Sequence, residues 1–135
     1  MKKMFFIYFI CTLLTIATSC SKDKQALINT TWRIESLKVH ADSTWIYPET
    51  TDPIERYALT FKRGNQYGFC ASSGKVKFMA NQKIKFECKS IDYIGCPYYV
   101  ECHETLHKST HYELLENIFI LKGEDGCILN FFKIE

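Results

Sequence analysis

The chain has 135 residues, 47% of them hydrophobic and 24% charged, with 17 Lys+Arg against 15 Asp+Glu. That length suits one domain with a real core and is too short for two. The near balance of charge, without any basic block, argues against a nucleic-acid partner.

In chain order, Lys2 and Lys3 form a short basic start, and the 14 residues from Met4 to Ala17 are almost all apolar. A helical span needs about 20 such residues, whereas the apolar part of a secretory signal has about 7–15. Ala17, Thr18 and Ser19 are small and lead directly into Cys20. This resembles the bacterial lipoprotein signal. The resemblance implies that residues 1–19 are removed and that Cys20 becomes a thioether-lipidated N-terminus. An ordinary signal peptide cut nearby would leave Cys20 a spare thiol. Several acyl chains at one terminus anchor stably, where a single chain binds only marginally. The expected location is the bacterial cell envelope, on the outer membrane facing the periplasm or the cell surface. Removing residues 1–19 leaves 116 of the 135 residues, and losing Lys2 and Lys3 brings the charge to 15 against 15.

Residues 20–30, through "SKDKQALINT", read as the lipidated cysteine and a polar tether, and residues 31–135 as the folded domain. Trp32 to Val39 is the first strand expected. The segment from His40 to Arg56 carries two prolines and several turn formers and reads as loop. Within it Trp45, Ile46 and Tyr47 make an apolar knot, expected to pack back on the core or to touch a ligand.

Four strands follow in quick succession. Tyr57–Lys62 puts Leu59 and Phe61 on one side, and "RGN" turns. Gln66–Ala71 aligns Tyr67, Phe69 and Ala71 on one face, and "SSG" is read as a second turn. Lys75–Met79 alternates Val76 and Phe78 with Lys75 and Lys77. Lys83–Cys88 is the clearest, with Ile84, Phe86 and Cys88 on one face and Lys83, Lys85 and Glu87 on the other. Period-two alternation means strands with one wet face. The period then changes: Tyr99, Cys102 and Leu106 share one helix face, and Pro97 suits a helix start. Thr110–Leu115, Ile118–Leu121 and Cys127–Ile134 close the chain as strands. The expected fold is mainly β, a single small antiparallel barrel or curved sheet of about eight strands, with one short helix before the last three.

The order of elements resembles the META domain of HslJ-like bacterial lipoproteins. The matching features are Trp32 in the first strand, Leu59-Thr60-Phe61, the turn at Cys70-Ala71 before Ser72-Ser73-Gly74, Cys96, the helix with Glu101 and Leu106, Tyr112 leading a strand, and Leu129-Asn130-Phe131. The resemblance spans residues 31–135. It implies a barrel-like fold, an envelope compartment and a role in envelope stress or assembly, with no general activity attached. It also implies that Cys70 and Cys96 form a disulfide. A bond of that loop length contributes about 3 kcal/mol on the chain-entropy model. Cys88 and Cys127 fall on apolar strand faces and are either a second pair or two inert core thiols, and Cys102 competes for either partner. Five cysteines in the mature domain leave at least one thiol unpaired or shared between chains.

One motif pulls another way. His103-Glu104-Thr105-Leu106-His107 matches H-E-x-x-H, in which two histidines one helical turn apart bind zinc and the Glu serves as base. A third ligand is missing. His111 lies eight residues from His103, a rise of about 12 Å along a helix, against zinc–nitrogen bonds of about 2 Å. No downstream His, Glu or Asp stands out. The expected reading is two titratable imidazoles on an exposed helix edge, with no catalytic set. The metal alternative is a site at His103 and His107, joined by Cys102. No phosphate-cradling loop or nucleophile elbow is present, and no cofactor is expected. Binding is expected ahead of catalysis: an envelope protein, or a small apolar ligand held as in a lipocalin. A metal-dependent hydrolase on the HETLH helix is the enzymatic alternative.

Overall fold

The computed structural model describes residues 22–48, 58–69, 72–91 and 98–134. The signal segment, Cys20, Cys70, Cys96 and Pro97 lie outside the described residues. Eight antiparallel strands close into one barrel in sequence order. They are β1 (Thr31–Lys38), β2 (Ala58–Lys62), β3 (Gln66–Phe69), β4 (Ser72–Met79), β5 (Lys83–Ile91), β6 (Ser109–Leu114), β7 (Ile118–Gly123) and β8 (Ile128–Ile134). Helix α1 covers residues 22–27, and α2 (Tyr99–Lys108) comes before the last three strands, as the change of period predicts.

The inward face is the apolar half of each alternation. Leu59, Phe61, Tyr67, Phe69, Val76, Ile84 and Phe86 are all buried. The intervening lysines of β4 and β5 are exposed. An eight-stranded barrel is just wide enough for side chains to fill it, and here aromatic rings do so. Phe119 packs with its ring centroid 5.6 Å from Trp32, 5.6 Å from Phe61 and 5.9 Å from Tyr112. Fully burying each such ring contributes about 1.5–3 kcal/mol.

The strand order gives the barrel two unlike ends. At the base lie the tight turns 63–65, 80–82 and 115–117, together with the start of β1. At the mouth lie the end of β1, helix α2, and the turn from β7 to β8.

Two expectations are corrected. Residues 22–30, expected as a polar tether, belong to the packed domain at the base. Leu27 is fully buried in the core, Asn29 N–H donates to the Phe61 carbonyl at 2.8 Å, and the Tyr112 hydroxyl donates to Asp23 Oδ2 at 3.0 Å. Asn29 turns the chain out of α1 with φ 62°, the left-handed exit that Asn tolerates well. The Thr30 hydroxyl then donates to the Leu27 carbonyl and accepts from Trp32 Nε1 at 2.8 Å. Second, Ser72-Ser73-Gly74 is not a turn but the start of β4. The register slips between Ser73 and Gly74 opposite β5, and a Cβ at Gly74 would strike the Glu87 carbonyl. The glycine serves this close approach of two strands.

In the long connection, Ile46 packs on the core and pairs with Leu37, while Trp45 and Tyr47 stay exposed. Lys38 Nζ lies 5.6 Å from the Trp45 ring centroid, within cation–π range.

Candidate functional site

Helix α2 lies across the mouth with Cys102, Thr105, Leu106 and Ser109 buried beneath it. These positions recur at the helical period, so they form its inner stripe. The buried hydroxyls are satisfied locally: Thr105 Oγ1 donates to the Glu101 carbonyl at 2.6 Å and Ser109 Oγ to the Thr105 carbonyl at 2.8 Å. The helix passes into β6 without an intervening turn, because Ser109 is already extended (φ −67°, ψ 130°). Lys108 ties its C-terminus to two mouth connections, donating to the Val39 carbonyl and to Asp125 Oδ2, each at 2.7 Å.

His103 and His107 stand on the edge of this stripe, half-buried, with ring centroids 4.2 Å apart. Cys88 reaches them from β5. Its Sγ and one ring nitrogen from each histidine all lie within 4.8 Å of one another. Cys88 continues the inward file of Ile84 and Phe86, but at the level where the core ends, so its thiol is half-buried. The β4–β5 register shift sits beside it, and Gly74 is its partner across the ladder. Bulges of this kind re-aim side chains near sites.

The imidazoles are oriented. His107 Nδ1 lies 2.9 Å from the His103 carbonyl oxygen. A carbonyl only accepts, so Nδ1 carries the proton and Nε2 presents its lone pair. The Tyr67 hydroxyl lies 3.5 Å from that Nε2, at the floor of the mouth. Burial, and next the neighbouring His107, lower the pKa of His103 from the ordinary histidine value, while Glu104 acts the other way. The neutral imidazole is the metal-binding form.

The sequence motif thus contributes two residues of a cluster whose third member it does not contain. Cys102, the partner expected for His103 and His107, is fully buried on the inner stripe. His111 lies on β6, exposed, with the Thr110 hydroxyl 2.9 Å from its Nδ1. Glu104 is exposed. The third residue comes from an upstream strand, not from a turn downstream as in a zinc protease.

Of the two readings of Cys88 and Cys127, a second pair is not formed: Cys88, Cys102 and Cys127 are free thiols, Cys127 buried and Cys88 half-buried. Cys127 is buried in the turn after β7, against Gly123 and Lys108. Burial, and next Asp125, push its pKa up to about 11. Cys127 therefore stays a protonated thiol. The pairing of Cys70 with Cys96 falls outside the described residues.

The fold and the mouth together define a small closed antiparallel barrel, packed within and carrying its reactive side chains at one end. No family model matches the chain, and no curated protein matches it. Two solved structures are similar in fold. One is the NMR structure of a protein from Burkholderia xenovorans, 17% identical, covering 82% of this chain and 86% of its own, with a TM-score of 0.61. The other is the crystal structure of a DUF4847 family protein from Bacteroides vulgatus, 15% identical, covering 81% of this chain and 95% of its own, with a TM-score of 0.60. At such identities the likeness is one of fold.

Proposed function

We propose that this chain is a lipid-anchored protein of the bacterial envelope, of META-like type, that works by binding through the mouth of its barrel. The observation that carries the reading is the contrast between the ends. The base is closed by tight turns and by α1, only two positions after Cys20, a distance that extended chain spans in at most about 7 Å. The lipid therefore holds the base to the membrane and turns the mouth away. Around the mouth stand exposed Trp45, near Lys38 at the end of β1, and exposed Tyr98 and Val100 at the start of α2, and Cys88, His103 and His107 cluster at the same end. Exposed aromatic and apolar side chains around a rim suit a partner surface. The aromatic core occupies the space that a lipocalin-like ligand would take, so the binding surface belongs at the rim.

Photocrosslinking in cells tests this. A photoreactive residue in place of Trp45 or Tyr98 should give specific adducts with an envelope protein, and one in place of Arg63 at the base should not. Adducts from Arg63 alone would reverse the assignment. Cys20→Ser should abolish incorporation of labelled fatty acid, and labelling that persists in that variant would remove the anchor from the proposal.

A further inference from the structure

We infer that Cys88, His103 and His107 form a transition-metal site at the barrel mouth, with zinc as the occupant their chemistry fits best. The inference rests on the mouth being the working end, and it names what that end holds.

The ligand set is one thiolate and two imidazoles. Zinc takes this mixture with Zn–S near 2.3 Å and Zn–N near 2.0–2.1 Å. Tetrahedral bonds of those lengths place the ligand atoms about 3.3–3.6 Å apart. The three atoms here already lie within 4.8 Å of one another, so coordination requires them to close by about 1 Å.

Three features show a prepared arrangement. The histidines are one turn apart on a helix pinned at its C-terminus by Lys108. The bond from His107 Nδ1–H to a carbonyl leaves Nε2 as the unprotonated nitrogen, the outer-shell contact that metal-binding histidines characteristically make. The strand that delivers Cys88 is fixed by the close approach at Gly74. On binding, Cys88 Sγ loses its proton to solvent and forms the sulfur–metal bond, so uptake releases a proton and strengthens as pH rises. No redox change is involved. Three protein ligands leave a fourth position open to water or a partner group. Thiolate and imidazole ligands disfavour magnesium and calcium, which prefer oxygen.

The test uses the full chain, solubilised in detergent, reduced and stripped of metal. Cobalt(II), a spectroscopic stand-in for zinc, should bind one per chain with a thiolate-to-cobalt charge-transfer band. Zinc should displace it and protect Cys88 from alkylation. Cys88→Ser should abolish the band. His103→Ala or His107→Ala should weaken zinc binding at least about 100-fold, since outer-shell changes alone cost up to that much. His111→Ala and Cys102→Ala, if folded by circular dichroism, should leave it unchanged. Absence of any thiolate band, or zinc binding that survives Cys88→Ser, would overturn the site. Crosslinks from Tyr98 on a chain that takes up no metal would also overturn it, while leaving the mouth as a protein-binding surface. Zinc bound by these residues on a chain that gives no crosslinks would uphold the site and remove the protein partner instead.

Discussion

The two ends of the barrel are built from different kinds of residue. The base is closed by local chemistry: short turns with Asn65, Asn81 and Gln82 in left-handed conformation, and a helix that contributes one buried leucine. The mouth is closed by a long-range element, α2, whose inner stripe plugs the core and whose edge meets β5. The difference teaches where a small barrel can afford reactive groups. Cys88, His103 and His107 lie just above the level at which the core stops, on elements whose other faces are buried. The site is therefore held by packing it does not itself supply.

Three perturbations break or sharpen that contrast. The largest effect is expected at the base. Leu27→Ala removes a fully buried side chain, and such truncations cost about 2–5 kcal/mol. Chemical denaturation should show that loss with the mouth chemistry unchanged. A midpoint that does not move would return residues 22–30 to the role of a tether.

Gly74→Ala comes second. The added methyl meets the Glu87 backbone, and over-packing of this sort costs about 1–3 kcal/mol. Because Gly74 faces Cys88 across the ladder, this variant should also speed alkylation of Cys88. Loss of stability without altered Cys88 reactivity would separate the bulge from the site.

The smallest effect is at the rim. The hydrogen bond from Lys108, with lesser help from the Cys127 backbone, holds the Asp125 pKa down at about 2. A depressed carboxylate stabilises the fold above its unfolded value, near 3.9, and that contribution disappears as pH falls through about 2. The pair is exposed on both sides, so the contribution is under about 1 kcal/mol. Wild type and Asp125→Asn should differ slightly in melting temperature at pH 6 and converge toward pH 2. A difference that grows in acid would contradict the sign.

Much of the fold is legible in single strands. "KIKFEC" alternates so regularly that β5 and its inward face follow directly, and the change of period after Cys96 marks α2. Ser72–Gly74 escapes because a glycine used for strand contact looks the same in sequence as a glycine used for a turn. Residues 22–30 escape because one buried leucine among polar residues makes no period. The site is half legible. HETLH displays two imidazoles at helical spacing, but Cys88 joins them only when β5 and α2 pack together. A signal was present: Cys88 is the last inward position of its strand before the helix. The same periodicity that puts Cys102 with Leu106 already turns Cys102 away from His103 and His107.

The closeness of α1 to Cys20 has an electrostatic consequence. A strand of eight residues, tilted as in a barrel, rises about 20 Å. Were the proposed lipid to hold the base against an anionic membrane surface, the cations drawn to that surface would fall away over a Debye length of about 8 Å at physiological salt. On that reading Cys88, His103 and His107 would stand about two such lengths above it. They would meet ions at the concentration of the open compartment, not at the enriched concentration next to the bilayer.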